Sequence, residues 1–446
     1  MTFRIPHSAL RTPCSANIAA LLTQRARERP DQHAVLEPIG RRFTPIRYRT
    51  TTFAQLDRLS DQLAADVVSR GVAPGMRLVL FVPFSTAFIA WTFALMKAGV
   101  VVVLIDPGMG RNNIFRCLAE VEPDGFVAIR RVQFIRSLLR RRFPHARFNI
   151  TVDVNQSLAD SRTTPPNLPT VRANDPAAII FTSGSTGPPK GVVYEHGMFA
   201  AQVRLIQQFY RVEPGEIDLP GFPLFGLFNA AMGVTTVIPQ MDPTRPARVD
   251  PQRITAAIEQ QHVTQAFGSP AFWNRVGRYT EQHSHRLPGL QRALSAGGPV
   301  PVPVLERMSL ALTGPSADLH TPYGATECLP VTSIGAREVL ARTAAMTRAG
   351  AGTCVGRPFP EVEIAIIAAT DEKLASLERA QLLPTGAIGE IIVRSPSVTR
   401  EYFRRPDANR LAKIPDPAGL AAGRPDFWRR IGDVGYFDSD GLLWFC

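Results

Sequence analysis

The chain has 446 residues, enough for two or more packed units around a large buried core. Its content of 45% hydrophobic and 20% charged residues is ordinary for a globular protein and argues against a fibre, a disordered chain or a disulfide scaffold. The net charge of +12 would attract ATP, anionic lipid or nucleic acid, or serve solubility alone. Without zinc-finger spacing or an aromatic RNA-binding stretch, the sequence predicts no nucleic-acid partner.

The chain begins without the apolar core of a signal peptide, and its five cysteines are scattered rather than paired in a framework. Both features predict a cytoplasmic protein. Helical patterns then alternate with apolar β-branched runs, which predicts parallel strands joined by crossover helices. The predicted helices cover residues 18–28, 53–69, 86–97 and 113–120.

Residues 78–96 carry no charge and approach the length of a membrane span. Pro83, Ser85 and Thr86 interrupt this run, and β-rich segments lie at residues 78–82 and 100–105. We therefore expect a buried strand–helix–strand unit in preference to a membrane span.

Residues 130–147 are rich in arginine, with large apolar side chains between them. This pattern predicts either a solvated helix face or a basic amphipathic helix on a membrane surface. The polar stretch at 155–176 reads as a linker, after which the α/β pattern resumes from 177 to about 333. Residues 362–367 and 389–393 are expected to be strands of a smaller β-rich unit.

A glycine- and hydroxyl-rich loop follows the buried-strand pattern at residues 177–181. Its sequence is Thr182-Ser183-Gly184-Ser185-Thr186-Gly187-Pro188-Pro189-Lys190-Gly191. Glycines let backbone N–H groups turn toward phosphate oxygens, the hydroxyls add donors, and Lys190 adds a positive charge. The loop is not a Walker A motif, because Lys190 is preceded by Pro189 and followed by Gly191.

The run from Phe181 to Val192 resembles the signature loop of the adenylate-forming superfamily, which includes acyl-CoA synthetases, luciferases and the adenylation domains of peptide synthetases. Further segments follow in the family's order, so the resemblance covers nearly the full chain. It implies two layered αβ sheets plus a smaller β-barrel-like subdomain, divided approximately into 1–170, 171–350 and 351–446. It also implies ATP and Mg²⁺ as cofactors.

The resemblance assigns nucleotide contacts to three further segments. Residues 294–300, with Gly297 and Gly298, resemble the adenine block, and in residues 321–327 Tyr323 would pack on the adenine beside Gly324. Asp433, in a Gly-Asp-Val-Gly-Tyr run, would accept hydrogen bonds from both ribose hydroxyls.

The candidate catalytic residues are Lys190, Thr326 and Glu327. By the same resemblance Thr326 would bond the α-phosphate, and Glu327, with Thr182 as a second ligand, would hold Mg²⁺. His196 and His262 are interpreted as structural rather than catalytic.

Several segments between residues 218 and 356, together with the final run to Cys446, resemble one branch, the β-lactone synthetases of bacterial olefin biosynthesis. This implies that a long-chain 2-alkyl-3-hydroxy acid becomes an acyl-adenylate, which its own hydroxyl closes to a β-lactone. Apolar Leu224, Phe225, Leu227 and Phe228 would suit an alkyl chain or be ordinary core.

Two alternatives stay open: a long-chain acyl-CoA ligase, and an ATP- or lipid-binding fragment with impaired catalysis. The second follows from the family's small C-terminal domain, which carries a catalytic lysine and would begin where this sequence stops. Partners implied by the branch are the long-chain acid and companion enzymes of the olefin pathway. The arginine-rich run at 130–147 leaves a peripheral membrane association as the alternative.

Overall fold

The structure is a computed structural model that describes residues 17–40, 45–154, 167–182, 188–421, 423 and 425–446. The strands are β1 His33–Ile39, β2 Arg47–Thr52, β3 Arg77–Phe81, β4 Val101–Ile105, β5 Gly125–Ile129, β6 Phe148–Val152, β7 Pro176–Thr182, β8 Lys190–Glu195, β9 Ile217–Pro220, β10 Thr235–Val237, β11 Gln265–Gly268, β12 Arg292–Ser295, β13 Asp318–His320, β14 Tyr323–Ala325, β15 Cys328–Ser333, β16 Thr353–Pro358, β17 Glu363–Ile367, β18 Gly389–Arg394, β19 Glu401–Tyr402, β20 Lys413–Pro415, β21 Phe427–Phe437 and β22 Leu443–Phe445. The α-helices are α1 Ala19–Glu28, α2 Phe53–Ser69, α3 Thr86–Lys97, α4 Arg111–Val121, α5 Arg130–Leu138, α6 His196–Tyr210, α7 Pro223–Met232, α8 Pro251–Gln260, α9 Pro270–Gln282, α10 Val302–Ala311, α11 Ala336–Glu338, α12 Ala344–Arg348, α13 Pro406–Leu411 and α14 Pro417–Ala421.

Three sheets organise the chain. Sheet I has the order β13-β12-β11-β9-β10-β1-β2 and is parallel except for β2. Sheet II has the order β19-β8-β7-β4-β3-β5-β6 and is parallel from β7 to β6. Sheet III is antiparallel, with the order β14-β15-β16-β22-β21-β18-β17 and β20 beside β21. The predicted layered α/β fold with a smaller β-rich unit is confirmed.

The buried strand–helix–strand unit is also confirmed. β3 and β4 pair in parallel, and α3 between them is buried along nearly its whole length. Its one charged residue, Lys97, is buried too, and its ammonium lies 2.6 Å from carboxylate oxygens of both Asp57 and Asp61 on α2. Such pairing lets a lysine lie in the core, because an unpaired buried charge is costly. Among the described residues, no helix is both long and apolar enough to cross a membrane.

Sheets I and II each contain strands from both sides of the predicted boundary near residue 170. Sheet I combines β1 and β2 with strands from β9 onward, whereas β7 and β8 complete sheet II together with β3 to β6. The strand order of sheet III is an open path. The division at residues 1–170, 171–350 and 351–446, and closure of the smaller unit into a barrel, therefore stay predictions.

Candidate nucleotide site

The phosphate loop joins two antiparallel strands of sheet II. Thr182 at the end of β7 pairs with Lys190 at the start of β8, so the chain must reverse between them. The predicted phosphate-binding residues Ser183, Gly184, Ser185, Thr186 and Gly187, and the Thr182 side chain, lie outside the described residues, and their roles stay predictions.

Gly191, directly after Lys190, has a steric reason to be glycine. A Cβ at this position would lie 2.9 Å from the Ile179 Cγ2 and 3.0 Å from the Phe181 ring. Both contacts are with the β7 side of the hairpin, so a larger residue would push the two strands apart. The glycine thus keeps the start of β8, and with it Lys190, close against the end of β7.

A tyrosine that the sequence analysis did not identify joins Lys190 to the predicted metal ligand. β19 pairs with β8 and lays Tyr402 beside the hairpin, where the Lys190 ammonium lies 5.1 Å from the centroid of the Tyr402 ring. The Tyr402 hydroxyl donates a hydrogen bond of 2.7 Å to the Glu327 carboxylate. Burial raises the pKa of Tyr402 to about 12, so the hydroxyl stays protonated and remains a donor at neutral pH.

Thr326 and Glu327 form the two-residue turn of the β14–β15 hairpin, because Ala325 pairs with Cys328. The Tyr194 hydroxyl donates to the carbonyl oxygen of Thr326. The turn needs glycine at Gly324, where a Cβ would lie 2.6 Å from the carbonyl oxygen of Cys328. The predicted α-phosphate and metal residues therefore lie side by side on a tight turn.

The Glu327 side of that turn is held by the segment between β18 and β19. The Thr399 amide and hydroxyl donate to the Glu327 carbonyl at 2.9 and 3.0 Å. Together with the Tyr402 bond to its carboxylate, these contacts fix both the backbone and the side chain of Glu327.

A fully buried guanidinium lies under this cluster. The Arg429 Cζ is 4.5 Å from the Tyr402 ring centroid, and its Nη1 donates weakly to the Thr399 carbonyl at 3.4 Å. Within the described part of the chain, its Nε and Nη2 find no hydrogen-bond partner. Lys190 and Arg429 therefore bring two positive charges to the ring of Tyr402, and a positive field suits a polyphosphate.

Tyr323 and Asp433, predicted to contact adenine and ribose, lie in contact with one another. The Tyr323 hydroxyl donates a 2.5 Å hydrogen bond to Oδ2 of Asp433, although 110 residues separate them in sequence. Burial raises the pKa of Asp433, and the hydrogen bond from Tyr323 acts in the opposite direction.

Gly297 and Gly298 follow β12, whose parallel neighbour β13 leads directly into Tyr323. Both glycines are exposed, and a Cβ on either would meet no atom within 4 Å. Ligands of α/β sheets bind outside the carboxyl ends of the strands, which is where this open backbone lies.

The two histidines interpreted as structural do not lie among these groups. His196 is fully buried at the start of α6, neither ring nitrogen has a hydrogen-bond partner among the described residues, and burial lowers its pKa to about 4. His262 is exposed, with a left-handed φ of 52°, after α8.

The apolar residues proposed to suit an alkyl chain belong to α7. Phe225 stacks on Phe267 with ring centroids 3.9 Å apart, and Phe228 lies 5.4 Å from Phe199. Leu227 is buried and Leu224 partly buried against the same core. These side chains pack against the core near the carboxyl ends of β9 and β11.

A Mg²⁺ ion fits the residues that are present. Glu327 contributes one half-buried carboxylate, and no group of three or more metal-binding side chains occurs in the described ranges. Mg²⁺ bound together with a nucleotide usually takes one or two carboxylates plus phosphate oxygens, so it needs no such group.

Comparisons with known proteins identify the family of the chain. The sequence profile described as "AMP-binding enzyme" matches residues 22–403. The olefin beta-lactone synthetase of Stenotrophomonas maltophilia is 45% identical over 97% of this chain and 79% of its own length. That of Xanthomonas campestris is 43% identical, over 96% and 78%. Among solved structures, the N-terminal domain of FACL13 from Mycobacterium tuberculosis superposes with a TM-score of 0.78 at 22% identity, covering 97% of this chain and 99% of that one.

Proposed function

Because the chain belongs to the AMP-binding enzyme family, we propose that it activates a long-chain 2-alkyl-3-hydroxy acid with ATP and closes the product to a β-lactone. The observation that carries the adenylation step is a set of three side-chain contacts that join four segments distant in sequence. Tyr323 bonds Asp433, and Tyr402 bonds Glu327 while it lies against Lys190. The lactone step is supported by the 45% identity to an olefin beta-lactone synthetase over 97% of the chain.

In the first step, a carboxylate oxygen of the acid attacks the α-phosphorus of ATP, and the bond to pyrophosphate breaks. The work of the protein is to hold two anions together and stabilise the charge on the transferring group. Lys190 supplies a positive charge, and Thr326 would donate to the α-phosphate. A Mg²⁺ ion held by Glu327, with Thr182 as a second ligand, would neutralise phosphate charge when bound.

In the second step, the 3-hydroxyl of the same acyl group attacks the activated carbonyl and gives its proton to water. The bond from that carbon to the AMP oxygen breaks, and AMP leaves with its electron pair. Nucleophile and electrophile belong to one molecule, so a binding wall that folds the chain correctly can supply much of the rate. The apolar residues of α7, including Phe225 and Phe228, would provide that wall.

Product analysis tests this function directly. The chain is incubated with ATP, Mg²⁺ and a long-chain 2-alkyl-3-hydroxy acid, with and without CoA. We expect β-lactone, AMP and pyrophosphate in both cases. The matched substrate lacking the 3-hydroxyl should support ATP–pyrophosphate exchange but yield no lactone, which separates the two steps.

Other outcomes would identify the alternatives. A CoA thioester in place of the lactone would make the protein an acyl-CoA ligase. Exchange at background level despite measurable ATP binding would indicate a nucleotide- or lipid-binding module without catalysis.

A cytoplasmic location is part of the proposal, because ATP is plentiful there and free thiols are stable. Cys117, Cys328, Cys354 and Cys446 are all free in the structure. The direct partner is the small-molecule acid, and enzymes that supply the hydroxy acid and consume the lactone are proposed companions.

A further inference from the structure

Helix α5 presents three large apolar side chains to solvent. Phe134, Ile135 and Leu138 are 63%, 55% and 69% exposed. Their spacing of one and four residues puts them on one face of the helix, together with Arg131. The described residues include nine exposed large apolar side chains, and three of these nine lie on this single helix. Exposed apolar side chains that cluster in this way indicate an interaction surface, whereas those scattered singly over a monomer do not.

The opposite face of α5 is fixed to the protein, so the apolar face cannot turn inward. The Gln133 side chain is buried and donates hydrogen bonds to the carbonyl oxygens of Phe126 and Ile150 at 3.0 and 2.8 Å. Those two residues belong to β5 and β6 at the edge of sheet II. Rolling the helix would leave these buried polar groups without partners, which is costly.

The charge around the apolar face is of one sign. Residues 130–147 contain seven arginines and one histidine but no aspartate or glutamate. Arg130, Arg131, Arg140 and Arg141 are exposed and form no ion pair within the described ranges. The acidic residues just before this segment are neutralised by other arginines, in the pairs Glu120–Arg405, Glu122–Arg404 and Asp124–Arg77.

We propose that this α5 surface, defined as Arg130–Leu138 with the following turn Arg140–Arg142, docks the protein on an anionic phospholipid membrane. The arginines would contact lipid phosphates, while Phe134, Ile135 and Leu138 enter the boundary between headgroups and acyl chains. A nucleic acid would satisfy the arginines but offer no apolar layer to the three large side chains. Docking does not depend on which acid the nucleotide site activates.

Co-sedimentation with lipid vesicles tests the proposal. Vesicles of phosphatidylcholine alone are compared with vesicles containing phosphatidylglycerol, at low and high salt. We expect binding only to the anionic vesicles, weakened by salt because the attraction is screened. Phe134→Ser combined with Leu138→Ser should weaken it by roughly tenfold or more. Arg140→Gln combined with Arg141→Gln should weaken it by roughly fivefold per arginine.

Matched controls come from other exposed positions. Leu310→Ser removes an equally exposed leucine on α10, and Arg275→Gln with Arg278→Gln removes two exposed arginines on α9. These variants should bind anionic vesicles as the unchanged chain does. All of these changes are at the surface, so each variant is expected to fold. Thermal melting and nucleotide binding check this for each variant.

Three results would overturn the proposal. The first is absence of binding to anionic vesicles, and the second is equal binding to both vesicle types. The third is vesicle binding unaffected by the α5 changes. If light scattering without lipid showed self-association that the serine variant abolishes, and no vesicle binding occurred, the surface would instead be a contact between protein molecules.

Discussion

Replacing Tyr402 with phenylalanine separates two functions of one side chain. The ring that faces Lys190 and Arg429 is kept, while the 2.7 Å hydrogen bond to the Glu327 carboxylate is lost. A hydrogen bond to a charged group contributes about 1.5–3 kcal/mol, and because Glu327 is only partly buried we take the lower end of that range. An energy of about 1.4 kcal/mol corresponds to a factor of ten in an equilibrium constant.

If Glu327 binds Mg²⁺, this loss should appear in the metal dependence of the reaction. We expect Tyr402→Phe to raise the Mg²⁺ concentration for half-maximal ATP–pyrophosphate exchange by about tenfold, within the range known for residues that orient a metal ligand. Exchange measured over a Mg²⁺ titration at saturating ATP gives this value. Because the pKa of Tyr402 is raised to about 12, the difference between variant and unchanged chain should not vary between pH 6 and 9.

Tyr210→Phe is the matched control, since it also removes one buried tyrosine hydroxyl, which bonds Ser333 at 2.8 Å. This control should lose some stability yet keep the Mg²⁺ dependence of the unchanged chain. If Tyr402→Phe had an unaltered Mg²⁺ midpoint while its melting temperature fell like that of Tyr210→Phe, Tyr402 would be a structural residue and the metal role of Glu327 would lose its support.

Three further predictions concern single side chains. Lys190→Ala should weaken ATP binding by roughly 1.5–3 kcal/mol in calorimetry, whereas the exposed Lys373→Ala should not, and equal ATP affinity in both would refute the loop assignment. Asp433→Ala should weaken AMP as well as ATP, because the carboxylate acts on the ribose, and a loss confined to ATP would contradict that role. Burial raises the pKa of Asp218 to about 7. Between about pH 4 and 7 the folded protein therefore holds a proton that the unfolded protein has released. The free energy of unfolding should then fall as the pH rises through this range. Asp218→Asn should flatten this fall in denaturant titrations at pH 5 and 8, and an unchanged difference between the two pH values would show that another group is responsible.

Local patterns predicted much of the architecture. The helices predicted at 53–69 and 86–97 agree with α2 and α3. Amphipathic spacing marks α2, whereas α3 is an apolar run between two β-rich segments, and Thr52 and Ser85 cap their N-termini. The motif residues Tyr323 and Asp433 were also identified from sequence, and the structure brings them into contact.

Tyr402 and Arg429 could not be identified in that way. Tyr402 meets Glu327 across 75 residues, and no fixed spacing near either residue records the contact. Arg429 lies beside Arg430 in a strand otherwise rich in apolar residues. Two adjacent charges in a mostly apolar strand were the one feature of the sequence that could have indicated a buried arginine. The contacts of Tyr402 with Glu327 and with Arg429 depend on how β19 and β21 pack in three dimensions, which a single sequence does not reveal.

The two-residue strand β19 also protects the edge of a sheet. β8 would otherwise end sheet II with a row of unpaired backbone groups, and β19 covers it with a strand too short to recruit another chain. Since β19 lies far downstream, between β18 and α13, a shortened version of the protein ending before residue 400 would expose that edge and lose Tyr402 at once. Such a fragment should therefore aggregate, and its inactivity would say little about the residues that remain.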